Sequence, residues 1–132
     1  YEMIVPYMKR VTDYAKSKGL RTECHSCGKV DPLIQVYIDA GFEMLECQPI
    51  LDFGKLVPQY GDKILFHYPP AIAPEDINAP VEEHVKKARE FVDTCIGFGY
   101  PIMMDNYYAP LLNRAFTDEV YRYSRKKYAE LM

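Results

Sequence analysis

Apolar residues recur along this chain with two different spacings, and the two spacings alternate. Apolar positions three and four residues apart are typical of amphipathic helices, whereas short apolar runs bounded by Gly or Pro are typical of buried strands. In chain order the pattern predicts helix 2–18, strand 20–24, helix 32–40, strand 42–46, helix 52–56, strand 63–66, helix 81–96, strand 100–104 and helix 117–131.

Residues that favour helix ends mark several of these boundaries. Asp31 is followed by a proline, which is typical of a capped helix start, and Gly41 is expected to end the same helix. Asp52 and Thr117 are expected to cap the third and the last helix. A proline interrupts an established helix, so the third helix is expected to end before Pro58.

The apolar stripes predict which side of each helix faces the core. His84 lies among charged residues and is expected on a solvated face, whereas Tyr121 and Tyr128, one heptad apart, are expected to pack inward. The other residues expected to face inward are Ile4, Met8, Val11 and Ala15 of the first helix, Leu33, Ile34, Tyr37 and Ile38 of the second, and Val85, Ala88, Val92 and Cys95 of the fourth.

Strands that alternate with helices predict a parallel α/β sheet, because right-handed crossovers connect parallel strands. Four βα units then follow one leading helix. Two architectures fit, a small doubly wound sheet or half of a (β/α)8 TIM barrel, and in both of them ligands bind at the carboxyl ends of the strands. The residues predicted to share that rim are His25, Cys27, Cys47, Gln48, His67, Asp105 and Asn106.

Length and composition narrow the class of protein. With 132 residues, 48% hydrophobic and 27% charged, the chain is expected to form a single domain over 1–132. A net charge of −3 argues against a nucleic-acid surface. No apolar run reaches the roughly 20 residues of a membrane span. Four cysteines are too few for a disulfide scaffold, so we expect reduced thiols and a cytoplasmic location.

His25 and Cys27 stand two positions apart, directly after the first predicted strand. An imidazole and a thiolate at this spacing suit a borderline metal ion, most commonly zinc. The other interpretation is a polar loop histidine beside a half-buried thiol. Cys24 is expected to point to the opposite side of the strand and Cys95 to lie in the core, so both are interpreted as packing residues.

Three stretches of the chain resemble one known family. They are residues 25–34 (HSCGKVDPLI), 38–49 (IDAGFEMLECQP) and 60–64 (YGDKI). Together they resemble the C-terminal half of the uroporphyrinogen decarboxylase-like superfamily, and they come closest to its cobalamin-dependent methyltransferase branch. The resemblance implies half of a (β/α)8 barrel cut from a longer chain. A start at Tyr1, already inside a helical pattern, agrees with that expectation.

The resemblance also implies a chemistry. In the methyltransferase branch a His-x-Cys pair, matched here by His25 and Cys27, binds a zinc ion that activates a thiol or similar methyl acceptor. The methyl group is exchanged with a corrinoid (methylcobalamin) on a partner protein. The branch takes its third zinc ligand, a cysteine, from the loop after the last strand, where this chain has residues 104–110 (MDNYYAP). Cys47 is therefore the first substitute as third ligand and Asp105 the second, since carboxylate oxygen also binds zinc.

Two further hypotheses stay open. One is porphyrinogen decarboxylation without a metal, which needs cations around several carboxylates, and only Arg21 and Lys29 flank the rim. The other is that the chain alone is inactive, because a half barrel leaves two open strand edges and an uncovered apolar interior. It would then pair with a second copy, as a homo-oligomer, or with the missing N-terminal half.

Three polar residues near the strand ends keep more than one interpretation. Glu23 and Glu46 either orient the imidazole of His25 or face solvent. His67 is either a satisfied loop histidine or a general acid or metal ligand.

Overall fold

The computed structural model describes residues 1–105 and 112–131, which form an α/β fold. Helices and strands alternate in the predicted order. The helices are α1 (Val5–Ser17), α2 (Ile34–Asp39), α3 (Phe53–Tyr60), α4 (Val81–Gly97) and α5 (Arg114–Leu131), and the strands are β1 (Glu23–Ser26), β2 (Met44–Cys47), β3 (Leu65–Tyr68) and β4 (Ile102–Met104).

The four strands form one parallel sheet in the order β1-β2-β3-β4. A doubly wound sheet reverses its strand order at a switch point, whereas here each new strand adds to the same edge. The prediction of four parallel βα units preceded by one helix is confirmed. The sequential strand order is that of half of a (β/α)8 barrel.

The contacts divide the chain into two compact units. The first comprises Tyr1–Tyr68 with Gly99–Met103, and the second comprises Pro69–Phe98 with Met104–Met132. The expectation of a single domain over 1–132 stays a prediction. No helix in the described ranges is long and apolar enough to cross a membrane.

In the first unit the two faces of the sheet have different surroundings. Phe66 and Tyr68 of β3 pack edge-on against Phe53 of α3, with ring centroids 6.3 and 4.9 Å apart. Ser26 Oγ of β1 lies 2.9 Å from the hydroxyl of Tyr37 in α2. Side chains alternate along a strand, so the intervening residues share the opposite face. This surface, called here the Glu-His face, comprises Glu23, His25, Met44, Glu46, Leu65 and His67.

The buried side of α1 differs from the predicted one. Ile4 and Val11 are exposed, and the buried residue of the helix is Thr12. Its hydroxyl donates to the carbonyl of Ala40 at 2.7 Å. A Cβ at Gly41, whose φ is +85°, would lie only 2.6 Å from Thr12 Oγ1. A buried hydrogen bond and a close backbone approach therefore orient α1, rather than its largest apolar residues.

The predicted strands begin too early, because the preceding helices extend into them. Leu20 donates its N–H to Ala15 of α1 at 3.1 Å, and Ile64 donates to Tyr60 of α3 at 3.0 Å. Both residues thus belong to helix ends. The strands are shifted toward the C-terminus as a result, and His67 lies inside β3 rather than in a loop.

The predicted start of α2 and the predicted capping and end of α3 also need correction. Asp31 does not cap α2 but opens a 3-10 turn that precedes it, without a side-chain hydrogen bond. Asp52 does occupy the N-cap position of α3, but again no side-chain bond caps the helix. The helix continues through Pro58, since the N–H of Gly61 still bonds to Val57 at 2.7 Å beyond the proline.

Thr117 does not cap α5. The helix begins at Arg114, and Asn113 Oδ1 accepts the N–H of Ala115 at 2.8 Å in the manner of an N-cap. Thr117 lies one turn further along, where its hydroxyl bonds back to the carbonyl of Arg114 at 3.0 Å. Asn113 is the better cap because its side chain meets an N–H that has no partner within the helix.

In the second unit α4 packs against α5. The rings of Phe91 in α4 and Phe116 in α5 have centroids 6.1 Å apart. Three of the four residues predicted to face inward from α4 are buried as expected: Ala88, Val92 and Cys95.

His84 contradicts its predicted position on a solvated face. Its exposed fraction is 1%, and neither ring nitrogen has a hydrogen-bond partner among the residues that the structure describes. Position 84 is four residues before Ala88 and seven before Phe91, so it belongs to the buried stripe of α4. The helical spacing outweighs the charge of the neighbouring residues.

The inward side of α5 carries a carboxylate. Glu119 is buried, and both Arg89 of α4 and Arg122 donate to its oxygens at 2.7 Å. Burial alone would raise the pKa of Glu119, but the hydrogen bonds from the two arginines outweigh it, and the pKa is lowered. The predicted packing of Tyr121 and Tyr128 is wrong, since both are exposed.

Candidate metal site

Three side chains at the ends of β1 and β2 form a connected row. The Nε2 atom of His25 lies 3.2 Å from Cys27 Sγ, and its Nδ1 atom lies 3.0 Å from Glu46 Oε2. The imidazole therefore stands between a thiol and a carboxylate.

The sheet explains half of this arrangement. His25 and Glu46 are partners in the parallel register of β1 and β2, so their side chains leave the same face at the same level. Cys27 follows directly after β1. The next residue, Gly28, adopts a φ of +84° and donates its N–H to Gln48 Oε1 at 2.9 Å. That bond ties the turn carrying Cys27 to the segment after β2.

The row is open to solvent on the side where a ligand would approach. The His25 side chain is 57% exposed, and Cys27 is also exposed. A zinc ion about 2.0–2.1 Å from nitrogen and 2.3 Å from sulfur, in tetrahedral geometry, separates the two ligand atoms by about 3.5 Å. The observed separation of 3.2 Å is within a small side-chain adjustment of that value. His25 and Cys27 thus fit two positions of a zinc site.

Cys47 and Asp105 are the two candidates for a third ligand. Cys47 is 2% exposed and follows Glu46 directly, so it belongs to the face of β2 opposite the row. Asp105 is buried within the second unit, and Asn106 lies outside the described residues. Across 1–105 and 112–131, no group of three or more His, Cys, Asp or Glu side chains is placed to hold a metal ion. The third ligand stays a prediction.

Glu23 and Glu46 were each expected either to orient His25 or to face solvent. Glu46 does contact His25, whereas Glu23 lies near the other histidine of the Glu-His face, 3.7 Å from His67 Nε2. Local sequence patterns carry no signal for these pairings, because they depend on the register of strands that are distant in the sequence.

One of the two cations near the rim, Arg21, is committed to another contact. Arg21 donates to Glu43 Oε1 at 2.6 Å, and Thr22 binds the other oxygen of the same carboxylate through its backbone N–H at 3.1 Å. The hydrogen bond from Arg21 is the main reason why the pKa of Glu43 is lowered. Of the two basic residues that flank the rim, Lys29 is therefore the one that remains for binding a substrate carboxylate.

The other two cysteines differ from Cys27. Cys95 is in the core of the second unit as predicted, and burial raises the pKa of its thiol to about 12. Cys24 is partly buried, and burial together with the charge of Glu23 raises its pKa as well. Cys24 also contacts the carbonyl of His25 rather than its ring.

The chain was also compared with known proteins. No protein-family model matches it, and no curated protein matches it either. The similarity to the uroporphyrinogen decarboxylase-like superfamily therefore stays a prediction from the residues quoted above.

Proposed function

We propose that this chain is the zinc-binding part of a uroporphyrinogen decarboxylase-like methyltransferase. In this proposal His25 and Cys27 hold the ion, and a methyl group is transferred between a corrinoid on a partner protein and a thiol or similar acceptor. The observation that carries the proposal is the contact of 3.2 Å between His25 Nε2 and Cys27 Sγ on an exposed strand end.

The residues around the pair have defined roles in this proposal. Glu46 accepts a hydrogen bond from Nδ1–H of His25, which selects the tautomer whose Nε2 lone pair points toward Cys27. Gln48 holds the turn after Cys27 through Gly28. These contacts orient the ligand atoms before a metal arrives.

The proposed zinc ion would lower the pKa of an acceptor thiol bound at its open position and keep it as the thiolate. The exposed side of His25 and Cys27 leaves room for that acceptor. The corrinoid partner is part of the proposal through the sequence resemblance alone.

The metal-free decarboxylase alternative has less support. Its substrate carries several carboxylates, and binding them requires a cluster of cations. Arg21 is already paired with Glu43, and the Glu-His face adds two carboxylates of its own. These charges would repel a polycarboxylate rather than bind it.

Pairing with another chain belongs to the same proposal. Residues 1–14, which comprise the turn before α1 and most of that helix, expose a row of apolar side chains. The sheet ends at β1 on one side and at β4 on the other. Both features are typical of surfaces that another chain covers. A monodisperse monomer by light scattering at micromolar concentration would contradict pairing. The exposed apolar residues of this segment include Tyr1, Ile4, Tyr7, Val11 and Tyr14.

The first experiment is zinc content per chain in purified protein, measured for the wild type, His25→Ala and Cys27→Ala. Cys24→Ala is the matched control, because this neighbouring thiol points away from the pair. We expect near-stoichiometric zinc in the wild type and the control, and loss in both test variants. Folded wild type without zinc, or zinc that persists in Cys27→Ala, would overturn the assignment. Normal methyl transfer by a full-length parent carrying Cys27→Ala would overturn the activity.

A further inference from the structure

We propose that Glu23 and His67 form a second cation site, which binds a first-row divalent metal ion on the Glu-His face. His67 Nε2 and Glu23 Oε1 lie 3.7 Å apart. The two residues belong to β1 and β3, with β2 between them. The site shares no residue with His25 and Cys27, so it does not depend on the proposed zinc site.

His67 has a buried ring nitrogen without a hydrogen-bond partner among the described residues. The His67 side chain is only 9% exposed, and its Nε2 atom has no hydrogen bond among the described residues. A buried polar atom that is left unpaired destabilises the folded protein. A carboxylate oxygen of Glu23 lies 3.7 Å from this nitrogen, and the Glu23 side chain is 39% exposed and therefore accessible from solvent.

The gap between His67 Nε2 and Glu23 Oε1 has the width of a metal site. A separation of 3.7 Å is too long for a hydrogen bond between the two atoms. It is too short for a bridging water or ammonium group, which would hold the two atoms about 4.4 Å apart with hydrogen bonds of about 2.8 Å. Two metal ligands at about 2.1 Å in tetrahedral geometry are about 3.4 Å apart. A small rotation of the exposed Glu23 side chain reaches that value, so the gap accommodates a metal ion bound by both atoms.

The charge of the Glu-His face also favours a cation. The Glu-His face carries two carboxylates, Glu23 and Glu46, and none of its six residues is a lysine or arginine. In the register of the sheet, His25, Glu46 and His67 stand in one row across three strands, and Glu23 precedes His25 by two residues. A divalent cation would offset this local negative charge.

Ligand chemistry limits the choice of metal. One imidazole nitrogen and one carboxylate oxygen suit Mn²⁺, Fe²⁺, Co²⁺ and Zn²⁺, and the set lacks a thiolate. Two protein ligands leave the remaining positions to water or to a bound substrate. The second ion would thus act as an additional Lewis acid on the same face as His25.

Cobalt distinguishes the two sites, because only thiolate ligation gives an intense sulfur-to-cobalt charge-transfer band. The experiment is a Co²⁺ titration of the metal-free full chain, followed by absorption. The variants are Glu23→Gln, His67→Gln and Cys27→Ser, and Asp62→Asn is the control for loss of an exposed carboxylate. Circular dichroism checks the fold of each variant.

We expect two cobalt ions per wild-type chain, of which one gives the charge-transfer band. Glu23→Gln and His67→Gln should lower the affinity for the other cobalt ion at least tenfold and leave the charge-transfer band unchanged. Cys27→Ser should abolish the band and leave the affinity for the other ion unchanged. A single thiolate-bound cobalt in the wild type, or unchanged binding of both ions in Glu23→Gln, would overturn the second site. If the wild type binds cobalt without the charge-transfer band, and Glu23→Gln no longer binds cobalt, the zinc assignment is overturned and the second site is supported. Because Glu23 is exposed, its variant decides the question even if His67→Gln does not fold.

Discussion

The Nδ1 atom of His25 lies 3.0 Å from Oε2 of Glu46, and the two residues are register partners in neighbouring parallel strands. The carboxylate fixes the tautomer and the orientation of the imidazole through its ring N–H. The ligand nitrogen is therefore positioned by sheet pairing rather than by loop conformation. The turn after β1 positions the other ligand, Cys27.

Removal of this carboxylate should weaken metal binding without abolishing it. We expect Glu46→Ala to lower the zinc affinity about 10- to 100-fold, because His25 loses the group that orients it. Glu46→Gln should lie between Glu46→Ala and the wild type, since its amide oxygen can still accept the hydrogen bond. Competition with a chelating dye measures the affinity, and Asp62→Asn is the control. Equal affinities for Glu46→Ala and the wild type would contradict the orienting role.

The cysteines should differ in their reactivity toward iodoacetamide. Cys27 is exposed, whereas burial raises the pKa of Cys95 to about 12, so that its thiol stays protonated at any pH at which the protein is studied. Since the thiolate is the reactive form, Cys27 should be alkylated in the folded, metal-free protein and Cys95 only after unfolding. Peptide mapping by mass spectrometry gives the order. Alkylation of Cys95 at a rate similar to that of Cys27 would show that α4 and α5 do not protect it.

Thr12 should contribute to stability through its hydroxyl. Thr12→Val keeps the size of the side chain but leaves the buried carbonyl of Ala40 without its donor, at a cost of about 1–3 kcal/mol. Thr12→Ser retains the hydroxyl and should cost less. Urea unfolding followed by circular dichroism measures both variants. If Thr12→Val is as stable as Thr12→Ser, the hydrogen bond to Ala40 does not hold α1 in place.

The ion pairs of Glu119 should make stability depend on acidity. Burial raises the pKa of Glu119, but hydrogen bonds from Arg89 and Arg122 outweigh it, so the folded-state pKa is below the unfolded-state value. The stabilisation is therefore fully present above the ordinary glutamate pKa, about 4.3, and is lost as the pH falls through the lowered folded-state value. Unfolding free energies measured between neutral and acidic pH should fall less steeply for Glu119→Gln than for the wild type.

The exposed residue Glu130 on the same helix provides the control for that measurement. Glu130→Gln should retain the wild-type slope, since none of the described hydrogen bonds or ion pairs involves its side chain. Parallel curves for Glu119→Gln and the wild type would show that the arginine contacts do not contribute.

The order of helices and strands could be predicted from sequence because apolar spacing reflects burial directly. Boundaries could not, since Leu20 and Ile64 look like strand residues while their N–H groups bond to the preceding helices. The charged neighbours of His84 predict a solvated position, but its helical spacing from Ala88 places it in the buried stripe. The pairing of Glu46 with His25 depends on strand register, which local patterns do not contain.

The division of the candidate site between a strand and a turn has a consequence for its motions. His25 lies in the hydrogen-bonded ladder of β1, whereas Cys27 lies beyond it, where Gly28 is held by one side-chain bond to Gln48. Amide hydrogens in the ladder should exchange slowly with deuterium and those of the turn rapidly. A metal ion that joins the two ligands would transfer the rigidity of the strand to the turn. The largest slowing of exchange on metal binding is then expected at Cys27 and Gly28.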